Sequence, residues 1–80
     1  MDKIILYTSD TCQRCAIVKQ MLDIHSVHYT EITDREYAVS LGLEEVPAIE
    51  IDGKIISEYT SVLSWLEQNG YYSFEVNSND

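Results

Sequence analysis

Apolar and polar positions fall into blocks along the chain, and the period changes from block to block. "KIILY", Lys3 to Tyr7, is a short apolar run with β-branched and aromatic members, the pattern of a buried strand. A polar "TSDT" turn follows. From Gln13 to about Ile24, residues Ile17, Met21 and Ile24 recur three and four apart with Val18 and Leu22 beside them, which predicts a helix with one broad apolar stripe. Asp10 or Thr11 is its expected cap. "VHYTEI", Val27 to Ile32, predicts a second strand, and "TDRE" then matches a capping box in which Thr33 accepts from the amide of Glu36. A short helix should run from there to about Leu41, with Gly42 ending it. After "LEEVP", the run "AIEI" from Ala48 alternates, Asp52-Gly53 is a two-residue hairpin turn, and "KII" returns antiparallel. A last helix is predicted over Ser61 to Gln68, with Val62, Leu63 and Leu66 inward, Trp65 beside them and Gly70 as its stop.

The predicted order is therefore βαβαββα. Strands joined through a helix pair in parallel by a right-handed crossover, whereas the Asp52-Gly53 hairpin is antiparallel, so the pattern calls for an α/β fold with a mixed four-stranded sheet flanked by three helices. Eighty residues suffice for one small domain, expected over residues 1–72. The closing "YYSFEVNSND" begins with aromatics able to pack on that body and ends polar, so residues 73–80 read as a tail that frays after about Phe74.

A hydrophobic fraction of 45% with 24% charged residues, three Gly and one Pro is the composition of a compact soluble domain. The 14 acids against 5 bases give a formal charge of −9, which disfavours nucleic acid and anionic membrane surfaces as partners and suits basic partners, or none steered by charge. The apolar run in "MDKIILYT" is too short for a signal peptide or a membrane span, and no later stretch approaches such a length, so a cytoplasmic location is expected, and a monomer is expected besides.

The only two cysteines, Cys12 and Cys15, stand three apart just before the first predicted helix. They can be metal ligands, a structural staple or a pair that exchanges electrons. A reducing compartment disfavours the staple, and so short a loop would contribute little stability. At a helix N-terminus, unpaired amides and the positive end of the dipole favour an anion, so Cys12 is placed to ionise more readily than a free thiol of pKa about 8.5. Arg14 between the cysteines adds a nearby cation, which Asp10 opposes if it points inward. Cys15, one turn further in, should be more buried and able to attack a mixed disulfide formed at Cys12. His25 and His28 read as surface or edge residues, since a zinc site needs four convergent ligands. Tyr7 reads as core, Trp65 as core or half-buried packing, and Tyr59 either lines a cleft or packs onto Leu63.

Three segments in this order, "YTSDTCQRC", "VPAIEIDGKII" and the short terminal helix, resemble the glutaredoxin branch of the thioredoxin fold from Lys3 to about Gln68. The size and the hairpin are also similar to the small glutaredoxin-like electron donors of ribonucleotide reductase. The resemblance implies a dithiol thiol-disulfide oxidoreductase in which Cys12 attacks protein or small-molecule disulfides and Cys15 resolves the mixed disulfide. It further implies a cis bond before Pro47, with the N–H and C=O of Val46 pairing with a substrate backbone; the alternative is a proline that merely opens an edge strand. No bound cofactor is implied, and glutathione is a possible reductant.

The chain departs from the glutathione-binding pattern of Thr-Val-Pro, a Lys before the first cysteine, and Gly-Gly with Asp before the last helix. It reads "EVP" (Glu45 to Pro47), Ser9-Asp10 and "SEYTS" (Ser57 to Ser61) there, and Glu45 and Glu58 add negative charge where an anionic tripeptide would lie. The helix start near Thr60, and Arg14, can still receive a carboxylate. Recycling by thioredoxin reductase, as in the ribonucleotide reductase donors, is thus a contender, although their usual Lys-Pro before the first cysteine is missing. Two readings of other classes are a zinc or iron-sulfur protein sharing the cysteines across a dimer, and a non-catalytic adaptor holding partners on the Val46 edge.

Overall fold

The computed structural model describes residues 3–72. Strand β1 (Ile4–Tyr7), helix α1 (Gln13–Ile24), β2 (Thr30–Ile32), α2 (Arg35–Ser40), β3 (Ala48–Ile51), β4 (Lys54–Ile56) and α3 (Tyr59–Gln68) follow in the predicted order. The sheet runs β2-β1-β3-β4, with β1 parallel to β2 and the other two pairings antiparallel. This is the thioredoxin-like arrangement, a four-stranded mixed sheet with three helices. The hairpin turn has positive φ at both Asp52 (51°) and Gly53 (90°), the geometry whose twist matches paired strands. Asp52 also accepts from the Lys3 amide through Oδ1 at 2.9 Å, tying the hairpin to the start of β1.

Alternate side chains of the two central strands divide the core. Ile4, Leu6 and Ile49 pack with Val18, Met21 and Leu22 of α1 and Val62 and Leu66 of α3. On the other face Tyr7 and Ala48 pack with Ala38 of α2 and Leu43, beside the half-buried Ile5, Ile32 and Val46. Trp65 and Leu63 lie half-buried against the first cluster, and Tyr71 packs on Trp65 at 5.8 Å between ring centres, so the aromatic start of the closing segment does lie on the body. The expected tail, residues 73–80 including Phe74, lies outside the described residues.

Several local expectations need correction. The buried stripe of α1 is Cys15, Val18, Met21 and Leu22, while Ile17 and Ile24 are 41% and 53% exposed. Seven apolar side chains in a three-turn helix cover more arc than one sheet face can bury, and the position of the sheet selects among them. Neither Asp10 nor Thr11 caps this helix; Cys12 does, at φ −95° and ψ 107°. The second cap moves by one residue, since Asp34 rather than Thr33 occupies the N-cap and its carboxylate accepts from the Tyr37 amide at 3.1 Å. Strand β2 begins at Thr30, with Val27 and Tyr29 packing on the core from the preceding loop. Helix α3 starts two residues early, after Glu58 at φ 75°. Among the described residues no helix is long and apolar enough to cross a membrane.

Candidate active site

The carboxyl end of β1 delivers the chain into the turn 8–12, and the geometry of that turn is held by polar contacts. Thr8 is buried; its amide donates to the Ile32 carbonyl at 3.0 Å and its hydroxyl to Glu31 at 2.6 Å. Lys19, on α1, bridges the same Glu31 carboxylate at 3.1 Å. The Thr8 hydroxyl, then Lys19, hold the Glu31 carboxyl below the usual carboxylate range. Edge strand, turn and first helix are thereby tied together immediately before the cysteines.

Cys12 and Cys15 are joined as a disulfide, with Cα atoms 5.2 Å apart. Cys12 is half-buried, and its Sγ accepts the Cys15 amide at 3.0 Å, so the sulfur itself takes the place that an oxygen fills at most helix starts. Cys15 points into the body at 1% exposure, one turn along the stripe that carries Val18 and Leu22. The two sulfurs therefore differ as expected: one meets solvent and an amide, the other meets the core.

The Val46-Pro47 peptide is cis, and the Val46 carbonyl oxygen lies 3.9 Å from Cys12 Sγ. Pro47 is fully buried, and β3 begins directly after it, so the central strand anchors this segment against the disulfide. Cys12, Cys15, Val46 and Pro47 are thus brought together. Arg14 is exposed and reaches across to α3, where its guanidinium carbon sits 5.0 Å from the centre of the Tyr59 ring. Thr60 follows Tyr59 directly in the chain. It is exposed in the first turn of α3 and lines two surface hollows, with Ser64, Glu67 and Tyr72 in one and Lys54, Trp65 and Gln68 in the other; neither cysteine nor Val46 lines either.

Tyr59 is the residue at this locus whose part the sequence left open. It is half-buried against the first core cluster and also forms the platform under Arg14. On the opposite face of the sheet Tyr7 is buried, and its hydroxyl donates to Glu50 at 2.6 Å; burial and that carboxylate raise its pKa well above the phenolic range. Among the described residues no three His, Cys, Asp or Glu side chains are grouped to hold a metal.

A protein-family model described as Glutaredoxin matches residues 4–56. No curated protein matches by sequence. Among solved structures, the chain is similar to the thioredoxin-like protein BC3987, at 26% identity and TM-score 0.69 over 82% of this chain and 97% of that one. A mutant of the same protein gives 25% identity and TM-score 0.68, covering 82% of this chain and 96% of the other. It also overlays a Nu-class GST from Haemonchus contortus at 18% identity and TM-score 0.71, covering 86% of this chain but 36% of that one, a likeness of fold alone.

Proposed function

The chain belongs to the glutaredoxin family, and on that premise we propose that it is a dithiol thiol-disulfide oxidoreductase in which Cys12 attacks and Cys15 resolves. One observation carries the reading: the more accessible sulfur is the one that accepts an amide at a helix start, while its partner one turn on is buried.

In the reduced protein the Cys12 thiolate attacks one sulfur of a substrate disulfide, forming a mixed disulfide and expelling the other sulfur as a thiolate that takes a proton from water. Cys15 then gives up its proton and attacks Cys12 Sγ. The bond to the substrate breaks, the second substrate thiol leaves, and the Cys12–Cys15 disulfide remains. The substrate has gained two electrons and the protein has lost two, which an external thiol reductant must restore. The Val46 carbonyl beside Cys12 offers an acceptor to an N–H of an extended substrate backbone, which would align its sulfur for attack.

Cys12→Ser is expected to abolish disulfide reduction, whereas Cys15→Ser keeps the first step and accumulates the mixed disulfide, visible by mass spectrometry of the intact protein. Reductase activity retained in Cys12→Ser would overturn the assignment. The exposed Glu45 and Glu58 oppose an anionic tripeptide and support recycling by a protein dithiol. NADPH-coupled turnover is accordingly expected to be faster with thioredoxin reductase than with glutathione and glutathione reductase.

A further inference from the structure

The segments around the disulfide and the Arg14–Tyr59 contact carry an unbalanced set of charges. The turn before Cys12 holds Asp10, the segment leading to Val46 holds Glu44 and Glu45, and the residue before α3 is Glu58; Arg14, in the first turn of α1, is their only cation. Each of these carboxylates raises the cost of a thiolate at Cys12, and Arg14 lowers it. What Arg14 contributes depends on where its flexible side chain rests. Paired with a carboxylate, it would present the sulfur with a dipole whose field falls away quickly. Free in solvent, it would spend most of its time distant and screened.

The structure shows neither arrangement. Among the described residues the one ion pair is Lys19 with Glu31, while the Arg14 guanidinium lies over the Tyr59 ring. Tyr59 in turn is fixed, being the first residue of α3 and packed against the core. An aromatic face holds a cation without neutralising it, and a planar guanidinium stacks there particularly well. We propose that Tyr59 is a positioning residue for the thiol chemistry: it holds the Arg14 cation, unpaired, at the mouth of the Cys12–Cys15 turn, where the full positive charge favours the Cys12 thiolate. The inference rests on the assignment of Cys12 as the attacking thiol. It adds a residue 47 positions away in sequence that acts through Arg14.

The test follows Cys12 ionisation in the reduced protein, from thiolate ultraviolet absorbance and from alkylation rate against pH. Arg14→Gln is expected to raise the thiol pKa by about half a unit, as for a partly solvated neighbouring charge. Tyr59→Leu, which keeps apolar bulk but removes the ring, should raise it by a similar amount, and Tyr59→Phe should restore the wild-type value. In the Arg14→Gln background, Tyr59→Leu should add nothing. A purely packing role for Tyr59 would lower thermal stability in both backgrounds and leave the titration unmoved. The proposal is overturned if Tyr59→Leu titrates like the wild type, or if it adds its whole shift when Arg14 is already gone. Should Tyr59→Leu not fold, Arg14→Lys at the exposed position carries the test: a value between wild type and Arg14→Gln supports the stack, and one equal to wild type overturns it. A wild-type Cys12 no more acidic than an ordinary thiol would instead refute the underlying assignment.

Discussion

Truncating two aliphatic residues two positions apart on α1 tests the rotation of the helix that separates the sulfurs. Leu22 is completely buried between α1, the sheet and α3, whereas Ile24 is 53% exposed near the helix end. Leu22→Ala removes three buried carbons at about 0.8 kcal/mol each and leaves a cavity that the packed strands on one side cannot close, so a loss of about 3 kcal/mol is expected. For eighty residues the whole stability is of the order of 4–12 kcal/mol, so this single change removes a large share. Ile24→Ala gives up surface contact and gains a few tenths of a kcal/mol of helix propensity, for a net change within about 0.5 kcal/mol. Urea unfolding followed by circular dichroism reads both, provided the slope of free energy against urea is unchanged. Comparable losses from the two variants would refute the reasoning. The residues lie about 200° apart around the helix, so an α1 that buries both, or buries Ile24 instead, no longer turns Cys15 inward and Cys12 outward.

Two further outcomes follow from contacts around the site. Glu31 has its folded pKa lowered by the Thr8 hydroxyl and Lys19, so its contribution is complete above the unfolded value of about 4.3 and fades as pH falls through the lower folded one. Glu31→Gln should therefore cost about 1 kcal/mol at neutral pH, and the gap from wild type should close towards pH 3 in urea titrations; a gap independent of pH would show that the carboxylate charge plays no part. At the hairpin, Gly53 sits at φ 90° with open space where a Cβ would go, so Gly53→Ala carries backbone strain without a clash. A loss of about 1 kcal/mol in thermal unfolding is expected, with disulfide reductase rates unchanged, and a neutral result would contradict the turn geometry.

What the sequence made legible divides along a physical line. The order of elements along the chain, the hairpin at Asp52-Gly53 and the span of α1 follow from period and turn chemistry, which are local properties, and the structure agrees with them. The cysteine pair was equally legible, because three-residue spacing at a helix start places both sulfurs on one turn whatever else the chain does. Where several local solutions lie close in energy, the body of the protein chooses. Ile17 and Val18 are equivalent to a periodicity argument, and only the position of the sheet buries one and exposes the other. Thr33 and Asp34 are both good caps, and the helix begins at the one that lets Ala38 face the core. The Cys12 sulfur takes the Cys15 amide, in keeping with the helix-start argument for its ionisation, and the cap thereby falls to Cys12 rather than to Asp10 or Thr11.

Contacts between distant segments were beyond a local reading altogether. Thr8 on Glu31, Tyr7 on Glu50 and Arg14 on Tyr59 bridge 23, 43 and 45 positions of sequence, and each exists only because the sheet order brings its two segments side by side. Their placement is not random with respect to the chemistry. The first ties down the turn that presents Cys12, and the last fixes the one cation among the segments that meet there. In a chain of net charge −9, an attacking sulfur needs its local field set by position, because the average field of the molecule opposes its ionisation. A helix start supplies part of that field from the backbone, and a guanidinium held on a neutral ring supplies more without surrendering its charge to the surrounding acids. On the proposed reading the fold thus supplies the half-buried Cys12 sulfur with the positive potential that the composition as a whole lacks.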